Sequence, residues 1–371
     1  MKIVHVINSL EIGGAEGVLV RLVTNDTVNQ HVIISLKGKC AYTSLLSDSN
    51  VSVYLLSLRK LSSFFRNITE MKDIILREKP DLIQSWMYHS NVICSFVNYL
   101  FRLKLTLYWN IRHSTVSFRN DKTSLLLLVV TGAILSRLTN INVVYCATSA
   151  AKAHFRLGYS RKLTAIIGNG YVGYPCNLFK SHVSKTEKDK FELGYFARYH
   201  PQKNHKKLFK VVAQLKNIID IRLLLVGKGC DAANTDLLNT IKKLNLQDVV
   251  ILKGLIEEPR QLMHECDYTI LVSDYGEGYP NVIGESLSVG TPCITTDVGD
   301  ARIILKNCGN LVEIHSEKDL NRQISAAWET RMDDTRYQEL RLRCLQNFNQ
   351  NLTVTEMVNA YDRLWKKKGN K

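Results

Sequence analysis

The sequence predicts an α/β protein of two domains, each a parallel sheet covered by helices, and three observations point there. At 371 residues the chain is too long for one comfortable core and about right for two. Short apolar runs, closed by polar or glycine-bearing turns and followed by helical patterns, recur along it. Hydrophobic residues make up 45% and charged residues 22%, the balance of an ordinary folded protein, with no repeat or low-complexity tract.

Residues 1–8 read as the first strand, and Gly13-Gly14-Ala15-Glu16 precedes a helix with Val18, Leu19, Leu22 and Val23 on one face. A Gly-Gly pair between strand and helix lets the backbone approach a ligand and aims N–H groups at it. It is not G-x-G-x-x-G, and no acidic residue is placed for a dinucleotide ribose. His31–Leu36 and Val51–Leu56 are further strands, and Met71–Glu78 is amphipathic helix. The strand from Pro80 to Ser85 ends in Trp86-Met87-Tyr88-His89-Ser90-Asn91, polar and aromatic residues at the edge where open α/β sheets hold ligands. Leu105–Asn110 is the next strand, with Ile111-Arg112-His113-Ser114-Thr115 at its end.

Leu125–Leu135 is the longest apolar stretch, too short to span a bilayer, which takes about 20 residues. With Arg112, Arg119 and Lys122 before it, it reads equally as a core helix or as a face lying on a membrane. Asn142–Ser149 reads as a strand followed by a small-residue turn, and Leu163–Ile167 then leads to Gly168-Asn169-Gly170. Tyr174–Lys190, with Pro175 and a run of charges, is the expected linker. These readings place domains at 1–175 and 176–352 and a closing helix at 353–371, with Thr353 and Glu356 spaced as a capping box.

In the second domain a strand ends at Arg198, and Tyr199-His200-Pro201-Gln202-Lys203-Asn204-His205 opens a helix. Arg198 and Lys203 can converge on one anion. Ile221–Val226 is a central strand ending in Gly227-Lys228-Gly229, and Val249–Leu252 leads to Gly254-Leu255. Gln261–Cys266 is a short helix, and Lys318–Trp328 a longer one.

The most informative stretch is Ser273–Thr296. It follows the apolar run Tyr268–Val272, a buried parallel strand. Pro280 sits where a helix begins, Gly290 ends that helix, and Pro292–Thr296 starts another strand. Glu277 then lies before the helix N-terminus, and Glu285 inside the helix about two turns in. The first-turn N–H groups and the helix dipole favour an anion at that end, and two carboxylates at different depths beside it can hold different hydroxyls of one extended ligand.

E-G-Y-P-N-V-I-G-E, at Glu277–Glu285, is similar to the E-x7-E signature of family-4 (group 1) glycosyltransferases, retaining enzymes of the GT-B fold. The resemblance implies two Rossmann-like parallel-sheet domains facing a cleft, closing over a nucleotide diphosphate sugar, with the last helix crossing back to the first domain. It puts Glu277 at the donor sugar, Glu285 on the ribose hydroxyls, and the backbone of Gly278, Tyr279, Pro280 and Asn281 around the sugar and distal phosphate. R-Y-H-P-Q-K-N-H resembles the family's donor-phosphate motif, so Arg198 and Lys203 would neutralise the diphosphate without a metal. Gly14 would reach the donor phosphates, Gly227 would leave room for base or ribose, and Leu255 would meet the base. His113 aligns with the family's histidine near the transferred sugar, and His89, Asn91 and Arg112 fall on the acceptor side. W-M-Y-H and I-R-H resemble segments of bacterial polysaccharide transferases. The resemblance implies a metal-independent hexosyltransferase, a UDP-sugar in preference, and a lipid-linked glycan acceptor in O-antigen or capsule synthesis.

Charge points the same way. The first 175 residues carry 20 Lys and Arg against 9 Asp and Glu, within a net charge of +15. A basic half wants an anionic partner, and no nucleic-acid-binding signature is present, so the partner expected is the anionic inner-membrane surface. Nine cysteines without a C-x-x-C pair read as buried thiols in a reducing compartment, and no Asp-x-Asp motif or His/Cys cluster suggests a metal or other cofactor. The N-terminus lacks the long apolar core of a signal peptide. A cytoplasmic protein, peripheral to the inner membrane, is expected. Two alternatives stay open: a nucleotide-sugar epimerase of the same architecture, and a non-enzymatic basic membrane-binding scaffold.

Overall fold

The structure, a computed structural model, describes residues 1–58, 64–114, 123–174 and 190–367. Residues 175–189 of the expected Tyr174–Lys190 linker, and Thr115, Arg119, Lys122 and Lys368, lie outside them. The chain divides into two units, Met1–Gly170 with Val354–Lys371, and Tyr171–Thr353.

The first unit is a seven-stranded, wholly parallel sheet. Its strands are β1 (Lys2–Ile7), β2 (Gln30–Ser35), β3 (Val51–Leu55), β4 (Leu82–Trp86), β5 (Thr106–Ile111), β6 (Asn142–Tyr145) and β7 (Thr164–Ile166), in the order β3-β2-β1-β4-β5-β6-β7. Helices α1 (Gly14–Asn25), α2 (Thr43–Ser47), α3 (Phe64–Glu78), α4 (Met87–Leu100), α5 (Thr123–Leu138) and α6 (Thr148–Arg156) make the crossovers. β1 and β4 are buried almost throughout, as strands covered on both faces must be. Strand order reverses between β1 and β4, which puts a ligand crevice outside their C-terminal ends.

The second unit is a six-stranded parallel sheet of β8 (Phe191–Phe196), β9 (Ile221–Val226), β10 (Val250–Gly254), β11 (Tyr268–Leu271), β12 (Cys293–Thr296) and β13 (Gly309–Val312), ordered β10-β9-β8-β11-β12-β13. Its switch point lies between β8 and β11. Around it run α7 (His205–Leu215), α8 (Thr235–Lys243), α9 (Arg260–Glu265), α10 (Asn281–Ser288), α11 (Ala301–Leu305), α12 (Glu317–Met332) and α13 (Asp334–Asn351). A core centred on Leu193, Tyr195, Leu225, Ile270 and Ile294 fills it. The final helix, α14 (Val354–Lys366), packs in the first unit, where Trp365 is 1% exposed and its indole donates to Gln84 Oε1 at 2.8 Å.

The expected class, two Rossmann-like parallel-sheet domains, is borne out. Some elements were not foreseen. α13 buries Tyr337, Arg341, Cys344, Asn347 and Phe348 at helical spacing, but Arg341 and Asn347 are polar, so its buried face is not marked by apolar residues alone. The region Asn142–Ser149, read as strand and turn, leaves the sheet at Tyr145 and is helical from Thr148.

Candidate functional site

In the second unit the segments following β8 and β11 meet at the switch point. β8 runs into Ala197 and the exposed Arg198, then a single 3-10 turn at Pro201–Lys203, which leads into α7. The His200 imidazole caps that turn, accepting from the Gln202 N–H at 3.2 Å. The Tyr195 hydroxyl donates to the Lys203 carbonyl and fixes the turn to the sheet. Lys203 Nζ then reaches the Glu277 carboxylate at 2.5 Å, and the Ser273 hydroxyl donates to the same oxygen at 2.7 Å. Both charged side chains are largely buried, at 17% and 12% exposure, so the pair is weakly screened and set in one geometry. Arg198 makes no ion pair among the described residues, and burial together with the positive fields of Arg198 and Lys203 lowers the pKa of His200.

The loop bearing Glu277 is anchored at a second point that the sequence did not reveal. Asp274 accepts from Asn204 Nδ2 at 2.6 Å and faces Lys207 Nζ at 3.6 Å and His315 Nδ1 at 3.4 Å. Lys207, with a side chain only 5% exposed, is a buried cation behind the visible site. The far side of the loop is held by Asp300, whose N–H donates to the Gly278 carbonyl at 2.9 Å. Gly299 beside it adopts φ +68°, and a Cβ there would lie 2.4 Å from the Glu277 carbonyl oxygen, so only glycine fits.

α10 starts at Asn281, with Pro280 as its extended N-cap (ψ 111°) instead of its first residue. Glu285 is therefore little more than one turn in, closer to the N-terminus than the two turns expected. It is half-buried, and its field adds to that of Glu258 in holding Arg260 charged. Gly284 lets α10 lie directly on Tyr171, whose hydroxyl donates to Asn281 Oδ1 at 3.1 Å. Gly278 and Pro280 are buried, and Tyr279 packs partly on the core. Gly227 ends β9 with its N–H bonded to Gly254 at 2.7 Å, and Leu255 just beyond is 64% exposed. Arg198, Lys203, Gly227, Leu255 and the Glu277–Glu285 segment thus lie on or just beyond the C-terminal edge of one sheet.

In the first unit, Gly13 and Gly14 stand exposed at the N-terminus of α1. Glu16 turns back toward Gly13, and burial raises its carboxyl pKa. After β4, Met87 takes φ +69° and the chain enters α4 with His89 exposed. Asn91 is 2% exposed, its side chain 2.7 Å from Ser85 Oγ, so it braces the β4–α4 turn from beneath. His113, half-buried after β5, contributes to lowering the pKa of His154, which burial above all draws down to about 4. Arg112 donates to Asn169 and, at 2.7 Å, to Tyr361 Oη, and lies 5.1 Å over the Trp86 ring. These partners are all neutral, and among the described residues Arg112 forms no ion pair.

Behind Arg112 runs a buried chain that sequence reasoning missed. The Trp86 indole donates to His5 Nδ1 at 3.2 Å, His5 Nε2 meets His31 Nδ1 at 3.0 Å, and His31 Nε2 meets Asp26 at 3.1 Å. The indole can only donate and the carboxylate only accept, so every ring nitrogen is satisfied with both imidazoles neutral. Burial, then His31, lowers the pKa of His5. Burial opposes ionisation of Asp26, but the bonds from His31 and Asn29 outweigh it and hold the carboxyl well below its usual range. No signal local to any of these residues could have shown the chain.

Comparison with known proteins bears on family and fold. Residues 179–347 match the family model "Glycosyl transferases group 1". Among curated proteins, an N-acetylgalactosamine-N,N'-diacetylbacillosaminyl-diphospho-undecaprenol 4-alpha-N-acetylgalactosaminyltransferase from Campylobacter jejuni is 35% identical over 136 residues; the match spans 36% of this chain and 36% of that protein. A Bacillus subtilis protein bearing the glycosyltransferase name EpsF is 26% identical over 318 residues, 80% of this chain and 79% of its own. Anabaena HepE, solved in complex with UDP, superposes with a TM-score of 0.82 at 20% identity, covering 99% of this chain and 100% of that one, a likeness of fold. With the E-x7-E segment seated at the switch point of a parallel sheet, the second unit matches the group 1 glycosyltransferases over residues 179–347.

Proposed function

We propose that this protein transfers a hexosyl group, with retention of configuration, from a nucleotide diphosphate sugar to a lipid-linked glycan in bacterial surface polysaccharide synthesis. The observation that carries the donor side is the Lys203–Glu277 pair at the β8/β11 switch point, ahead of the α10 N-terminus. In this reading Glu277 faces the sugar, Glu285 binds the ribose hydroxyls, and the backbone from Gly278 to Asn281 receives the distal phosphate. Lys203, Arg198 and the α10 dipole stabilise charge on the departing diphosphate, a task that needs no metal when cations are already placed. Gly14 is assigned to the donor phosphates, His113 to the transferred sugar, and His89 and Arg112 to the acceptor, while the buried Asn91, expected on the acceptor side, braces the turn that carries His89. A relative of the same fold was solved with UDP-glucose, which supports a UDP donor. The Campylobacter relative is named for a diphospho-undecaprenol substrate, which supports an acceptor carried on a lipid diphosphate and work at the cytoplasmic face of the inner membrane.

The test is release of nucleoside diphosphate from a panel of UDP- and GDP-sugars, with and without undecaprenyl-diphosphate glycan. Release that requires acceptor and yields a product of unchanged anomeric configuration supports the proposal. Turnover of the nucleotide sugar without acceptor would instead assign an epimerase.

A further inference from the structure

We propose that the outer face of α4 and α5 is the surface by which the first unit docks on an anionic lipid bilayer. α5 buries Val129, Gly132, Ala133 and Ser136 on its inner side. Its other side is apolar too: Leu127 is 68% exposed, Val130 48%, Ile134 53% and Leu138 77%. At about 100° per residue these four fall within one stripe less than a quarter-turn wide. A helix facing water on that side should be polar there; one apolar all round needs a second apolar environment. α4 repeats the pattern, with Phe96 42%, Tyr99 86% and Leu100 47% exposed along one face. Both helices connect neighbouring strands in the same direction, β4 to β5 and β5 to β6, so right-handed crossovers lay them side by side on one face of the sheet, where they pack together.

Charge selects the occupant. Between residues 82 and 174 there are ten Lys and Arg and a single acid, Asp121. Arg102 and Lys104 follow α4, Arg137 lies in the last turn of α5 and Arg156 in that of α6. In a parallel α/β layer all these helix ends fall at the same edge, so the apolar ridge has a cationic rim. Acids return at Asp81 and on the neighbouring α3, with Glu70, Asp73 and Glu78. An isologous contact with a second copy would set two cationic faces against each other, and aliphatic stripes offer nothing to a nucleic acid. A bilayer accepts both parts, side chains in the acyl boundary and cations on the headgroup phosphates. The proposal names the surface behind the lipid-linked reading of the acceptor and rests on that reading only for its purpose, because the assay below needs neither donor nor acceptor.

The experiment is vesicle flotation of the full chain with phosphatidylglycerol/phosphatidylethanolamine vesicles and with phosphatidylcholine vesicles. The wild type should prefer the anionic vesicles by about tenfold or more. Ile134→Ser with Leu138→Ser, both exposed positions, should weaken flotation about tenfold or more, with UDP binding by calorimetry unchanged as the check on folding. Lys203→Ala should float like the wild type, so failure of the donor-site assignment would leave this result readable. Wild-type protein left in solution with anionic vesicles, or equal flotation of wild type and double variant, overturns the proposal. So does a concentration-dependent dimer that the double variant abolishes.

Discussion

The two sheets present their ligand edges at the same topological position and furnish them in opposite ways. After β8 and β11 the second unit places opposite charges in contact, Lys203 on Glu277 and Lys207 facing Asp274, both pairs partly or fully withdrawn from water. After β1 and β4 the first unit places neutral rings, His5, His31 and Trp86, ending at one carboxylate, with Arg112 resting on the indole. Desolvated pairs of opposite charge hold an electrostatic site in fixed geometry before any ligand arrives, which suits stabilising a charged leaving group. A neutral relay under a guanidinium that forms no ion pair among the described residues holds a shape and offers one charge. The same fold thus makes a pre-paired site in one unit and a positioned surface in the other.

The largest expected effect comes from breaking the charged edge. Glu277→Gln leaves Lys203 without its carboxylate and should lower the turnover rate by about 100-fold or more while nucleotide affinity stays within a few-fold. A loss confined to affinity would reassign Glu277 to binding alone.

Acid should strain both units. Burial draws His154 in the first unit and His205 in the second down to about 4. The unfolded chain takes up those protons near pH 6.5, so stability is full above that value and is lost as pH falls from about 6.5 towards 4, by up to about 3 kcal/mol per group. Urea midpoints that stay level between pH 7 and pH 4.5 would contradict it.

Next is the seat of α10. A Cβ on Gly284 would lie 2.0 Å from the Tyr171 ring, so Gly284→Ala should destabilise by about 1–3 kcal/mol. Chemical denaturation measures this, and Tyr171→Leu in the same chain should recover part of the loss.

The smallest effect sharpens the contrast between direct and supporting charges. Lys207→Met removes the buried ammonium but leaves Asp274 bonded to Asn204, and should weaken nucleotide binding by roughly tenfold, about 1.4 kcal/mol, by loosening the Glu277 loop. An unchanged titration would confine Lys207 to stability.

What the sequence made legible was local. β11, the turn after it and the helix stop at Gly290 followed from an apolar run, glycine and proline, and Arg198 and Lys203 followed from their place between a strand and a helix. Even there, one residue of helix start separated Pro280 as N-cap from Pro280 as first helical residue, and Glu285 lies little more than one turn from the N-terminus where about two were expected. What was hidden depended on distant partners. Asp274 gains its anchors from residues 67 to 70 positions earlier and 41 later, and the Asp26–His31–His5–Trp86 chain joins α1, β2, β1 and β4. Leu125–Leu135 read equally as core or membrane face because α5 is apolar on both sides. Among the described residues, no helix is long and apolar enough to cross a membrane.

The central claim, that the β8/β11 edge of the second unit is a nucleotide-sugar donor site, is tested most directly by calorimetric titration of the full chain with UDP and with GDP, repeated on Lys203→Ala and Glu285→Ala. The account predicts that the wild type binds UDP in preference and that both substitutions, in folded protein, weaken binding by about tenfold or more. Binding of neither nucleotide, or wild-type affinity in both variants, would contradict it.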